Sequence, residues 1–267
     1  MISLEQLQAG IVLPVDKPRQ WTSFQTVNKA KAVIRHVYGL KKFKIGHAGT
    51  LDPLATGLLL ICAGKATKQI PELQDGDKVY TGTMVLGATT PCYDLERAID
   101  QYYPYEHITT ELLEKTISQF TGTILQVPPM FSAVKIAGQR AYEYARTDDP
   151  SVTIQPKPVT VYSFEITAFR PGVPTNPRDP KVPKGPTAST DQKNLYQNPL
   201  GTVPPELPQL DFRICCGKGT YIRSLARDLG SAIGSGAFLS ALRREQIGSY
   251  SVTDALSLDQ IEGFLTS

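Results

Sequence analysis

The chain has 267 residues, long enough for one large domain or two small ones around a real core. An apolar share of 41% and a charged share of 20% are those of a globular protein, and no apolar run approaches the ~20 residues of a bilayer span. The net charge is only +3, but residues 1–70 hold ten Lys/Arg against three acids and residues 213–246 hold six against two, so two basic blocks stand ready for a polyanion such as nucleic acid.

The N-terminus, Met1-Ile2-Ser3-Leu4-Glu5-Gln6, lacks the basic and apolar regions of a signal peptide. Residues 11–15 read as a short strand ending at Asp16-Lys17-Pro18. Thr22-Ser23-Phe24-Gln25 fits a capping box that opens a helix. Its apolar positions Phe24, Val27, Ala30, Val33, Ile34 and Val37 are expected to share the core face, with Lys29, Lys31 and Arg35 off it and Gly39 at its end. Lys41, Lys42 and Lys44 then lead into a polar loop, Gly46 to Pro53, that carries His47 and Asp52. An Asp-Pro pair is a common turn. A lone carboxylate in a loop stiffened by Gly and Pro is also how a reactive acid is presented.

Residues 57–63 are expected as a buried strand, 66–73 as a short helix, and 78–87 as an alternating strand with Tyr80 near its start. A helix over 109–120 and a strand over 121–127 follow, stopped by Pro128-Pro129. Residues 130–150 interleave Lys135, Arg140 and Arg146 with Tyr142 and Tyr144, a composition suited to RNA. Two strands or one bent ribbon fill 152–169. Another strand, 209–216, runs through Gly217-Lys218-Gly219-Thr220 into a helix over 221–233; strands over 237–252 and a helix over 257–265 end the chain. Mixed strands and helices without regular alternation predict an α+β fold on a mostly antiparallel sheet with flanking helices.

Segment 171–208 holds ten prolines, six of them at every third position from Pro171 to Pro186, the period of polyproline II. It is expected to be a flexible surface insertion in an otherwise single domain, 1–267.

Gly64-Lys65-Ala66-Thr67 is not a phosphate loop, because six residues separate Gly57 from Gly64 and Ala66 stands where a magnesium-binding hydroxyl is needed. Gly217 to Thr220, ahead of a helix, is either an anion site or a plain turn. Cys62, Cys92, Cys215 and Cys216 lack metal-ligand spacing, and His36, His47 and His107 are too few for a zinc set. No metal is expected, and the thiols are expected to be reduced, as in a cytoplasmic protein.

Together these segments resemble the TruB-type pseudouridine synthases over nearly the whole chain. Asp16-Lys17-Pro18 with Thr22-Ser23 resembles the opening motif. Gly46-His47-Ala48-Gly49-Thr50-Leu51-Asp52-Pro53, with Ala55-Thr56-Gly57 and Gly64-Lys65-Ala66-Thr67, resembles the catalytic signature. Pro128-Pro129, Ser132-Ala133, Lys135, Gly138, Arg140 and Tyr142 look like the RNA-gripping loop. Lys218 to Arg223, with Leu242-Arg243-Arg244, looks like the third motif. Gln20 departs from the family's usual Gly, Pro91-Cys92-Tyr93 replaces a more polar run, and the proline-rich segment is outside the pattern.

The resemblance implies a pseudouridine synthase fold and no cofactor. It implies Asp52 as catalytic aspartate, Tyr80 as the ring that stacks on the target base, and Arg223 as the arginine paired to Asp52. Leu242 would be an apolar pocket wall, His47 would lie near the flipped nucleotides with Asp94 as its polar partner, and Lys17, Lys135 and Tyr221 would contact substrate. Asp52 fits equally as a covalent nucleophile and as a base for a ribose proton. The implied reaction is uridine to pseudouridine at position 55 in the T stem-loop of tRNA, by a cytoplasmic monomer without a membrane partner. No residues follow 267 for the C-terminal RNA-binding (PUA) domain of many relatives, so binding is expected to rest on the catalytic domain. A guide-RNA-dependent synthase and a non-catalytic tRNA chaperone of the same fold are the competing readings.

Overall fold

In the computed structural model, which describes residues 2–132, 135–136, 139–140, 154–173 and 203–267, the chain divides into two compact units. Met1–Thr81 with Leu242–Ser267 forms the first and Gly82–Ala241 the second. The proline-rich stretch 174–202, Ala133, Gly138, Tyr142, Tyr144 and Arg146 lie outside the described residues.

The first unit opens with helix α1 (Leu4–Ala9), whose cap at Ser3 is a capping box with Gln6. Strand β1 (Ile11–Lys17), helix α2 (Ser23–Tyr38), strand β2 (Ile45–Ala48) and strand β3 (Thr56–Ala63) follow. β1 and β2 each pair antiparallel with β3, from Ile11↔Ala63 to Lys17↔Gly57 and from Ile45↔Ala63 to Ala48↔Leu60. Part of the stretch expected as loop is therefore strand, and His47 sits in it. From Leu58 to Ala63 β3 is apolar because both its faces are covered. Leu59, Ile61 and Ala63 pack with α2 residues Val27, Ala30 and Ile34, while Leu58 and Leu60 pack with Ala48 and Ile247.

A 3-10 turn over Gly64–Gln69 leads to α3 (Ile70–Asp75) and then to β4 (Lys78–Leu86), which passes from the first unit into the second. The second unit adds the short pair β5 (Ala88–Thr89) and β6 (Gln101–Tyr102), α4 (Thr110–Ile117), β7 (Gly122–Gln126) and the short pair β8 (Lys135–Ile136) and β9 (Gln139–Arg140). β10 (Lys157–Arg170) is one long strand with register shifts between Val161/Ser163 and Ile166/Ala168, so the bent-ribbon reading holds. It pairs antiparallel with β7 and with β11 (Gln209–Cys216). Helix α5 (Ile222–Ala232) then buries Ile222, Leu225, Ala226 and Leu229.

β12 (Ala237–Ile247) returns to the first unit, where Arg243↔Thr56 and Arg244↔Gly57 pair parallel with β3. β13 (Tyr250–Ser251) and α6 (Gln260–Thr266) complete the chain. The result is the expected α+β fold with a mixed, mostly antiparallel sheet.

Two backbone positions bear on the loops described below. Gln20 adopts φ +68°, so the turn keeps the conformation that glycine favours although the side chain is not glycine. Gly57 has φ +100°, and a Cβ there would collide with the Arg244 carbonyl oxygen. Gly57→Ala therefore meets both strain and a backbone clash, and should lower stability by about 3 kcal/mol or more in denaturant unfolding. A change under about 1 kcal/mol would show that β12 does not approach β3 this closely.

Candidate active site

Asp52 stands in the loop between β2 and β3, and three buried polar side chains of the first unit fix that loop. Ser23, in the first turn of α2, uses its hydroxyl twice on Leu51: it accepts from the Leu51 amide at 2.9 Å and donates to the Leu51 carbonyl at 3.1 Å. The Lys17 ammonium donates to the carbonyls of Trp21 at 2.6 Å, Pro18 at 3.0 Å and Pro53 at 3.3 Å. Arg244 donates from Nε to the Leu58 carbonyl at 2.8 Å and from Nη2 to the Gly49 carbonyl at 3.0 Å. Gly49 has φ +87°, and a Cβ there would stand 3.3 Å from the Arg244 guanidinium. Two backbone bonds finish the fastening: Gln20 N–H to Pro53 O at 2.8 Å and Ala55 N–H to Asp52 O at 3.2 Å. The bland reading of Asp52-Pro53 as an ordinary turn does not account for three buried polar anchors around it. Asp52 itself remains partly exposed.

Lys17 is fully buried. Burial lowers its pKa to about 8, partly offset by the neighbouring Asp52 carboxylate, while Arg244 lowers it further and Asp16 raises it. It was expected to bind substrate. In the structure its amine donates to three backbone carbonyls inside the protein. The adjacent Asp16 points the other way along β1 and takes a forked pair from Arg243, at 3.0 and 2.7 Å. Arg243 therefore fastens Asp16, while its neighbour Arg244 fastens the Gly49 and Leu58 carbonyls.

His47 lies on β2 with its Nδ1 buried. Burial, and then the Arg244 charge, lower its pKa, while a hydrogen bond with the Gly49 backbone acts the other way. Tyr80 is buried on β4, and Leu242 is half-buried on β12.

In the second unit Arg223 opens α5 and is 4% exposed. Its Nη2 donates to the Phe131 carbonyl at 2.8 Å, its Nη1 to the Cys92 carbonyl at 3.2 Å, and its Nε stands 3.8 Å from Asp94 Oδ2. The Asp94 carboxylate meets Arg223 and also the Glu96 amide, the latter at 2.9 Å. The Thr90 hydroxyl donates to the Asp94 carbonyl at 2.7 Å, and the Cys92 thiol to the same oxygen at 3.5 Å. Burial, and then the Asp94 charge, push the Cys92 thiol up to about 12. Tyr93, at φ +61°, lies under the Arg227 guanidinium, 5.3 Å from ring centroid to carbon.

Tyr221 precedes α5, and its backbone N–H and C=O are both met by the buried Gln126 amide side chain, at 2.8 and 3.1 Å. Ser224 and Arg227 both donate to the Val127 carbonyl, at 2.8 and 3.0 Å. These bonds, with the Arg223–Phe131 bond, anchor the segment before β8, the short strand to which Lys135 belongs. Among the described residues no group of His, Cys, Asp or Glu could hold a metal ion, and no helix is long and apolar enough to cross a membrane.

Residues 35–176 match the model of the TruB family pseudouridylate synthase N-terminal domain, and residues 223–266 match that of the tRNA pseudouridylate synthase B C-terminal domain. The chain belongs to the TruB family of pseudouridylate synthases. A relative from Flavobacterium johnsoniae named tRNA pseudouridine synthase B is 48% identical over 97% of this chain and 97% of its own. One of the same name from Phocaeicola vulgatus is 43% identical over 96% and 93%. Among solved structures, one of a Cbf5-Nop10-Gar1 complex superposes with a TM-score of 0.61 at 24% identity, covering 97% of this chain and 55% of that one. The chain thus spans about half the length of that solved protein, and the likeness speaks for the fold alone. The clamped loop lies within the stretch that the N-terminal family model matches.

Lys17 supplies a test of the clamp. Its folded pKa of about 8 lies below the ordinary 10.5, so between those values the native state binds fewer protons than the unfolded chain. Stability contributed by this group is therefore lowest below pH 8 and rises with pH up to about 10.5. The slope of unfolding free energy against pH should be more positive in that window for the wild type than for Lys17→Met. At pH 7 Lys17→Met, which leaves loop carbonyls without their donor, should cost about 2 kcal/mol. Equal slopes would mean that the amine is solvated rather than buried.

Proposed function

We propose that the chain isomerises uridine to pseudouridine at position 55 in the T loop of tRNA, as a cytoplasmic monomer whose two compact units form one catalytic domain. The observation that carries this reading is Asp52, a partly exposed carboxylate on a loop held by Ser23, Lys17 and Arg244. Relatives at 43–48% identity carry the name tRNA pseudouridine synthase B, which supports tRNA as the substrate.

A uracil within a folded loop is flipped out before its sugar bond is reached, and an aromatic face then holds it. Tyr80 takes that role. Asp52 acts on the ribose, the C1′–N1 bond breaks, the base turns, and C5 bonds to C1′. C5 then gives up its proton and N1 gains one. Atoms and oxidation state are conserved, so the isomerisation calls for no cofactor. Arg223, fastened to two carbonyls and near Asp94, is assigned a catalytic role by the family resemblance. Leu242 walls the base pocket. His47, whose pKa is lowered, offers a neutral ring to the flipped nucleotides. Lys135 meets the RNA backbone, and Tyr221 and Asp94 hold their neighbours in place for it.

Asp52→Asn keeps the shape of the loop and removes the charge. It should bind unmodified tRNA transcript as the wild type does and lose product formation by about 10³-fold or more. Pseudouridine formed at the wild-type rate by this variant would remove Asp52 from the chemistry.

A further inference from the structure

Phe24 breaks the pattern of its helix. Grouped with Val27, Ala30 and Ile34 by apolarity, it is nevertheless 70% exposed, while those three are buried. It occupies the second helical position after the Thr22 cap, where it takes no part in capping. Asn28, Lys31 and Arg35 follow it at intervals of four, seven and eleven residues, which return to one side of an α-helix. Asn28 and Arg35 are exposed, Lys31 is half-buried, and the Arg35 Nε donates to the Leu40 carbonyl at 3.2 Å, which lays the guanidinium over the helix end. Exposed Lys41, Lys42 and Lys44 continue the positive charge past that end. Between Lys17 and Asp52 there are seven Lys/Arg and no Asp or Glu. Ser23, the residue next to Phe24, is the one bonded to Leu51, so this face begins at the loop that presents Asp52.

We propose that the outer face of α2 is a docking surface for RNA, on which Phe24 stacks an unpaired base and Arg35, Lys31 and Lys42 neutralise backbone phosphates. The inference rests on the reading that tRNA is the substrate and extends it to a surface beyond the reacting nucleotide. A singly exposed ring is ordinary by itself, but Phe24 shares its side of the helix with Lys31 and Arg35 in a stretch without acids, the setting of an aromatic in a nucleic-acid groove. Stacking accounts for the ring and phosphate neutralisation for an acid-free stretch.

Filter binding of unmodified tRNA transcript reads this surface without depending on turnover. Phe24→Ala and Phe24→Leu should each raise Kd about 10-fold, whereas Phe24→Tyr should stay within about 2-fold of wild type. Arg35→Glu with Lys42→Glu should reduce the slope of log K against log salt by about 2. An unchanged Kd in Phe24→Ala, full affinity in Phe24→Leu, or an unchanged salt slope would overturn the proposal. Failure of the wild type to form pseudouridine would instead count against the assigned reaction, so the two are separable.

Discussion

Everything proposed for the chemistry depends on the fastening of one short loop. Loops rarely have the packing to hold a side chain still, and a reactive carboxylate gains from being held. Here the rigidity comes from polar groups taken out of water. The hydroxyl of Ser23, the ammonium of Lys17 and the guanidinium of Arg244 reach the loop from α2, β1 and β12, and all three are buried. Each would be costly to bury alone. Each is satisfied by loop carbonyls or amides that would themselves be costly to leave unbonded. The loop and its anchors therefore stabilise one another, and Asp52 is left as the member still open to solvent.

The second unit uses the same device around Arg223. Its guanidinium draws together the Cys92 and Phe131 carbonyls and approaches Asp94, while Thr90 and Cys92 fix the Asp94 carbonyl. Tyr93, held at φ +61° beneath Arg227, shows that this turn is maintained against local preference. Gln20, at φ +68°, does the same in the first unit, where its amide bonds the Pro53 carbonyl. Tyr93 adjoins Asp94 in sequence, and Gln20 lies three residues after Lys17.

Much of this was legible in the chain before any coordinates. The apolar run of β3, the capping box of α2 and the strand containing Tyr80 follow from periodicity and cap chemistry. What periodicity could not supply was the destination of charged side chains. For Lys17 the resemblance implies a substrate contact, and nothing local to it reveals that the Pro18, Trp21 and Pro53 carbonyls converge on its amine. Arg244 reads as one more basic residue for the same reason, since its partners lie 186 and 195 residues away. Phe24 was misassigned in the opposite sense: an apolar residue beside a core face looks like core until its exposure is seen. The short strand β2 was hidden by the glycines around His47.

The most direct test is to incubate the pure protein with unmodified tRNA transcript and map pseudouridine at single-nucleotide resolution. The account predicts product at position 55 without added guide RNA or partner protein. No product, or product only when a guide RNA is supplied, would contradict it.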